Sequence, residues 1–175
     1  KRARPKQRIA IARTLEARGL DARGLFARAG LEMAALRDPN GRYPVSKMSR
    51  LWKLAAEASG DPCIGLRAAE HVQPATFHSL GLALMASTTL EDALRRAARF
   101  SRIVSNAVDV VIEDTPRGAR EVVRFLPGVP VVEEAIDLFM ASTCKFGRLL
   151  TGIVQLPVEI ELRRDATPAM QREYE

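Results

Sequence analysis

Between Thr88 and Asn106 the chain reads TTLEDALRRAARFSRIVSN. At about 100° of rotation per residue, one face collects Leu90, Ala93, Leu94, Ala97, Phe100 and Val104. The other face collects Arg95, Arg96, Arg99 and Arg102. Such a segment is a helix that must set its apolar face against something else in the fold. Thr88 or Thr89 can cap it, with Glu91 or Asp92 in the first turn to complete a capping box. Just upstream, Leu80 to Met85 carries no charge and is expected to be buried, with Ala86-Ser87 as the break between the two halves.

The rest of the chain must supply the matching apolar surface, and its composition allows this. The 175 residues, 47% apolar and 27% charged, suit one domain with a substantial core. No apolar run approaches the ~20 residues of a membrane span, and no signal-peptide pattern opens the chain. A start on Lys1 rather than Met leads to the expectation that the natural start lies upstream. Cys63 and Cys144 lie in apolar helical contexts without metal or redox spacing, as buried thiols do in a reducing cytosol. Net charge is +6, but Lys1, Arg2, Arg4, Lys6 and Arg8 supply five positives with no acid among them. Without them the body carries +1, unlike a nucleic-acid reader with a basic face. Residues 1–8 are therefore read as a solvated basic arm, and 9–175 as a single domain.

In chain order, residues 6 to 18 read as a helix stopped by Gly19, and Asp21 caps a short helix to Arg28. Asp38-Pro39-Asn40-Gly41 is a turn. Ser46 is expected to cap a helix carrying Met48, Leu51, Trp52 and Ala55 on one stripe, ended by Gly60. Asp61-Pro62 is expected to start another that runs to about Val72. The period then shortens. Alternation near 107–113 and again near 120–126, around the turn Asp114 to Gly118, predicts a hairpin. Pro130 opens a long core helix near 130–151, with Glu133 and Glu134 favoured in its first turn by the helix dipole. Alternation of Val158, Ile160 and Leu162 predicts a third strand near 157–163, and Ala169 to Tyr174 begins a further helix. The fold class is α+β: a layer of short N-terminal helices, a small antiparallel sheet and a long helix packed on it.

Catalytic and metal motifs are missing from the sequence. His71 and His78 lack flanking ligands at metal spacing, and there is no phosphate-binding glycine loop, nucleophile elbow or HExxH. Glu133 and Glu134 diverge by about 100° on a helix, so they support its start rather than share a proton. No enzyme, metal or cofactor is expected. The residues placed as ligand-wall candidates are Trp52, Phe77, His78, Phe125 and Phe139; the default reading is core for Trp52, Phe125 and Phe139 and a satisfied structural histidine for His78. Arg67 could face a ligand carboxylate, although a surface ion pair accounts for it as well.

Several phrases in a fixed order carry a resemblance. They are Gly19-Leu20-Asp21 with Leu25-Phe26 and Ala29-Gly30-Leu31, Asp38-Pro39 with Arg42-Tyr43-Pro44, Leu51-Trp52, and Gly60-Asp61-Pro62 with Gly65-Leu66-Arg67. Leu80 to Ser87, Thr89-Leu90 with Ala93-Leu94, and Leu156-Pro157 follow. Together, over about residues 8 to 170, they resemble the N-terminal, arabinose-binding-like effector domain of AraC-type transcriptional regulators, in particular the ornithine-utilisation subclass. The resemblance implies a bacterial cytoplasmic regulator whose N-terminal part binds a small-molecule effector and pairs as a homodimer. DNA would be read only by a C-terminal helix-turn-helix part that this chain lacks, and no membrane is implicated. The β-rich jelly roll of sugar-binding relatives does not suit this helical pattern, so arabinose is not the expected ligand. Alternative readings are a haem- or fatty-acid-type sensory domain, a dimerisation module without a ligand, and an enzyme with dispersed catalytic residues.

Overall fold

In the computed structural model the chain is described at residues 2–3, 6–34, 43–105, 107–116, 118–130, 132–154, 159–162 and 166–174. Side chains at 2, 3, 6, 7, 75, 77–79, 103 and 104 lie outside that description. The turn expected at 38–41 also falls outside it.

The N-terminal helical layer forms as its periodicity dictates. Helix α1 (Lys6–Ala17) buries Ala10, Ile11 and Leu15, and α2 (Ala22–Arg28) buries Leu25 and Phe26. Asp21 caps α2 by accepting the Gly24 N–H at 2.9 Å. Helix α3 (Val45–Ser59) adds Met48, Leu51, Trp52 and Ala55 to the same core and stops at Gly60, whose φ of 64° is left-handed. It begins one residue before Ser46, with Pro44 at the cap position and no side-chain cap. Pro44, with extended backbone, takes the cap position, which leaves Ser46 inside the first turn.

Two short strands, β1 (Arg2–Ala3) and β2 (Tyr43–Pro44), pair antiparallel beside this layer. The basic run is consequently not all solvated. Helix α1 begins at Lys6, and Arg8 is fully buried with its guanidinium 3.3 Å from the centroid of the Tyr43 ring.

Helix α4 (Ile64–Glu70) is shorter than expected. Asp61 accepts the Cys63 N–H at 2.8 Å and forms a turn ahead of the helix. The same carboxylate pairs with Arg18 at 2.6 Å and with Arg67 at 3.7 Å. Arg67 also pairs with Glu173, so it is an ion-pair residue of the surface. After a 3-10 turn (Pro74–Phe77) come α5 (His78–Met85) and α6 (Leu90–Val104). Thr89 accepts the Asp92 N–H at 3.0 Å and caps α6. The arginine face of α6 is held by acids: Arg95 by Glu91 and Asp114, Arg96 by Asp92, Arg102 by Asp109. The uncharged α5 is not buried throughout, because Leu82 is 71% and Met85 47% exposed. On a two-turn helix only the side facing the fold is covered, here Gly81 and Leu84.

Strands β3 (Val108–Thr115) and β4 (Gly118–Phe125) form an antiparallel hairpin with Val108 opposite Phe125, Val110 opposite Val123 and Ile112 opposite Glu121. The third strand expected near 157–163 is absent from the described part of that span. Residues 159–162 have no regular structure, and Ile160 is 43% exposed; 157, 158 and 163 lie outside the described residues. Alternation marks a segment able to pair, but pairing also needs a sheet edge within reach. Among the described residues the sheet is this two-stranded hairpin.

Helix α7 (Glu133–Thr151) is the central element. It packs on α4 across Gly65, where an added Cβ would lie 2.8 Å from the Asp137 Cβ. Lys145 donates to the carbonyls of Ala69, Glu70 and Val72 at 3.2, 2.8 and 2.9 Å, satisfying the free C-terminal end of α4. Asp137 is buried and accepts the Tyr174 hydroxyl at 2.9 Å, which anchors α8 (Pro168–Tyr174). The α+β class holds, with helices dominating.

Candidate ligand-binding site

The polar stripe of α7 is thus engaged by α4 and α8. Its opposite, apolar side, with Ile136, Phe139, Met140, Phe146 and Leu150, faces a cavity of about 430 Å³. The apolar stripe of α6 faces the same cavity through Leu90, Ala93, Leu94, Ala97 and Phe100. Helix α3 contributes Met48, Ser49 and Trp52, α5 contributes Leu80, Ala83 and Leu84, and the hairpin closes a further side. Two strongly patterned helices therefore meet across a space rather than in direct packing. Cavities of about 300–1,000 Å³ with apolar walls and a few polar groups are the usual form of small-molecule sites.

The polar groups are few. Val108 and Val110 on β3 face the cavity, as do Glu121, Val123 and Phe125 on β4, because alternate strand residues share a face. Glu121 is the sole ionisable side chain among the described lining residues. Burial raises its carboxyl from 4.5 to about 7, and the Thr143 hydroxyl from α7 opposes that shift by hydrogen bonding to it. The neighbouring Cys144 thiol is also pushed up, first by burial and less by Glu121, while Arg148 pulls it down. Trp52 Nε1 and Ser142 Oγ belong to lining residues, are buried, and have no hydrogen-bond partner among the described residues. The Ser49 hydroxyl is engaged by the Pro130 carbonyl.

Of the five candidates named from sequence, Trp52, Phe125 and Phe139 line this cavity. Trp52 is also core, at 1% exposure. Phe125, like Phe100, is 38% exposed, so the cover is thinnest at those rings. The backbone of Phe77 and His78 joins the 3-10 turn to α5, and their side chains lie outside the described ones. Glu121 was not among the candidates. Its signal is present in the sequence as the one charge in register with Val123 and Phe125, on the strand face opposite Arg120 and Arg124. Among the described residues no group of three His, Cys, Asp or Glu side chains gathers as a metal site. Nor is any described helix long and apolar enough to cross a membrane.

The family model of the N-terminal arabinose-binding domain of AraC transcription regulators matches residues 19–175. The chain belongs to that family. A search of curated proteins gives no match. Domains of this family are non-enzymatic, ligand-sensing parts of transcription regulators. The cavity enclosed by α3, α5, α6, α7 and the hairpin is its candidate effector site.

Proposed function

We propose that this AraC-type domain binds a mostly apolar small-molecule effector in the 430 Å³ cavity. The observation that carries the reading is that the apolar faces of both α6 and α7 line this space. Filling it would bury apolar surface at roughly 25 cal/mol per Å², so an occupant stabilises the arrangement of α6, α7 and the hairpin. An effector with different affinity for two arrangements shifts their populations, and that difference is the regulatory signal. Residues 9–175 act as one effector domain in this reading. In a cytoplasmic homodimer, its two copies would set the spacing of two DNA-reading units.

Arabinose itself is a poor occupant despite the family's label. A buried sugar hydroxyl without a partner costs about 1–3 kcal/mol, and the described wall offers one carboxyl and a handful of hydroxyls. The likeness to ornithine-utilisation regulators rests on the sequence phrases and names no ligand residue.

A thermal-shift screen with and without Ala97→Phe tests the proposal. Ala97 lines the cavity, so a phenyl group there fills part of it. An effector at a hundred times its dissociation constant adds about 2.7 kcal/mol, a rise of roughly 5 to 10 °C for a domain of this size. The wild type should respond to amphipathic compounds and the variant should not. Equal shifts in both proteins would place the ligand elsewhere. Light scattering over a concentration series tests the homodimer, and a mass equal to one chain throughout would refute it.

A further inference from the structure

A carboxyl retained in an apolar cavity is unfavourable unless something pairs with it. Glu121 has the Thr143 hydroxyl as the group that favours its charged form, while Arg148 on α7 acts on the neighbouring Cys144 and is not among the described lining residues. The described lining residues contain no Lys, Arg or His. Four arginines of α6 and the hairpin are held by acids: Arg95 by Glu91 and Asp114, Arg96 by Asp92, Arg102 by Asp109 and Arg124 by Glu113. Lys145 on α7 is bound to the end of α4. The described wall therefore presents one negatively charged acceptor and no counter-charge, which leaves the counter-charge to the occupant.

We infer that the effector is an amphipathic amine, its hydrocarbon body lying along α6 and α7 and its ammonium group on the Glu121 carboxylate beside Thr143. This rests on the cavity being the effector site. An ammonium held there gives the desolvated carboxylate a counter-ion with charge-assisted hydrogen bonds, which are about twice as strong as neutral ones. A fatty-acid carboxylate meets like charge at the same point and no described cation. An alcohol of equal length gains the apolar contacts and a hydrogen bond to the carboxylate but brings no counter-charge. The head group thus separates three ligands that share one body.

The test is calorimetric titration of the domain with octylamine, octanol and octanoate at pH 8, below their micelle-forming concentrations. Octylamine should bind at least about tenfold tighter than octanol, because only the amine supplies a counter-charge to the carboxylate. Octanoate should bind weakest. Glu121→Gln should bring octylamine down to the level of octanol and leave octanol within about twofold of wild type. Equal binding of octylamine and octanol by the wild type overturns the amine assignment and leaves the cavity reading intact. The same conclusion follows if Glu121→Gln binds octylamine as well as wild type does. Preference for octanoate overturns it in favour of an acid effector. Failure of all three ligands to bind overturns the cavity reading as well. The wild-type comparison decides the matter even if the variant folds poorly, and Thr143→Val, which keeps the carboxylate, should retain the preference for the amine.

Discussion

Glu121→Gln should make the domain more stable at pH 8 and leave it unchanged near pH 4. The carboxyl titrates at about 7 in the folded chain against 4.5 unperturbed, because burial disfavours its charged form. Between those values the folded state holds more protons than the unfolded state. Stability therefore falls as pH rises from about 4.5 to about 7, and the full penalty persists above. At about 1.4 kcal/mol per unit, the rise from 4.5 to about 7 is on the order of 3 kcal/mol. Glutamine keeps the shape, has no charge to desolvate, and can still use the Thr143 hydroxyl. For a domain of this size ~2–4 °C accompany each kcal/mol, so the gain at pH 8 is about 6 to 12 °C. The assay is thermal unfolding of wild type and variant between pH 4 and 8, read as the difference between them so that other groups cancel. The titratable neighbour from α7, Cys144, is pushed up from its ordinary value and stays neutral across this window. Parallel melting curves from pH 5 to 8 would refute the reasoning, because they would mean that Glu121 is solvated in the folded chain.

Three further perturbations probe the frame around the cavity. Trp52→Ala removes a side chain 1% exposed and should cost about 3–5 kcal/mol in denaturant unfolding; an unchanged midpoint would place the ring outside the core. Gly65→Ala should lower stability by about 1–3 kcal/mol or more, since its methyl meets Glu134 and Asp137 of α7, and a neutral result would mean that α4 and α7 are further apart. Lys145→Met removes three bonds to the carbonyls ending α4. It should cost about 1.5–3 kcal/mol and speed amide exchange in α4, whereas unchanged exchange would show that the lysine does not hold that end.

Much of this was legible because period and capping residues act locally. The face of α6 follows from the positions of Leu90 to Phe100, and the cap at Thr89 from its neighbours. The hairpin follows from alternation about Asp114 to Gly118. What the local pattern does not contain is the partner of each face. The stripes on α6 and α7 predict burial equally well against a packed core and around a cavity, and only their arrangement in space separates the two. Residues 158–162 alternate like a strand, yet 159–162 remain irregular because alternation does not supply a neighbouring edge. Arg8 reads in sequence as part of a solvated run, since nothing next to it reveals that Tyr43 will cover it. Glu121 was readable from strand parity, as a charge in step with Val123 and Phe125. It was missed because its cost depends on the far wall, formed by α7.

The most direct test of the central claim uses Trp52, the single tryptophan of the chain and a wall of the cavity. Titrating the domain with the neutral apolar fluorophore N-phenylnaphthylamine should quench Trp52 emission by energy transfer, saturating at one probe per chain. Ala97→Phe should abolish the saturable quenching while keeping the fold. Undiminished quenching in that variant, or probe binding in the wild type that leaves Trp52 emission untouched, would contradict a ligand site between α6 and α7.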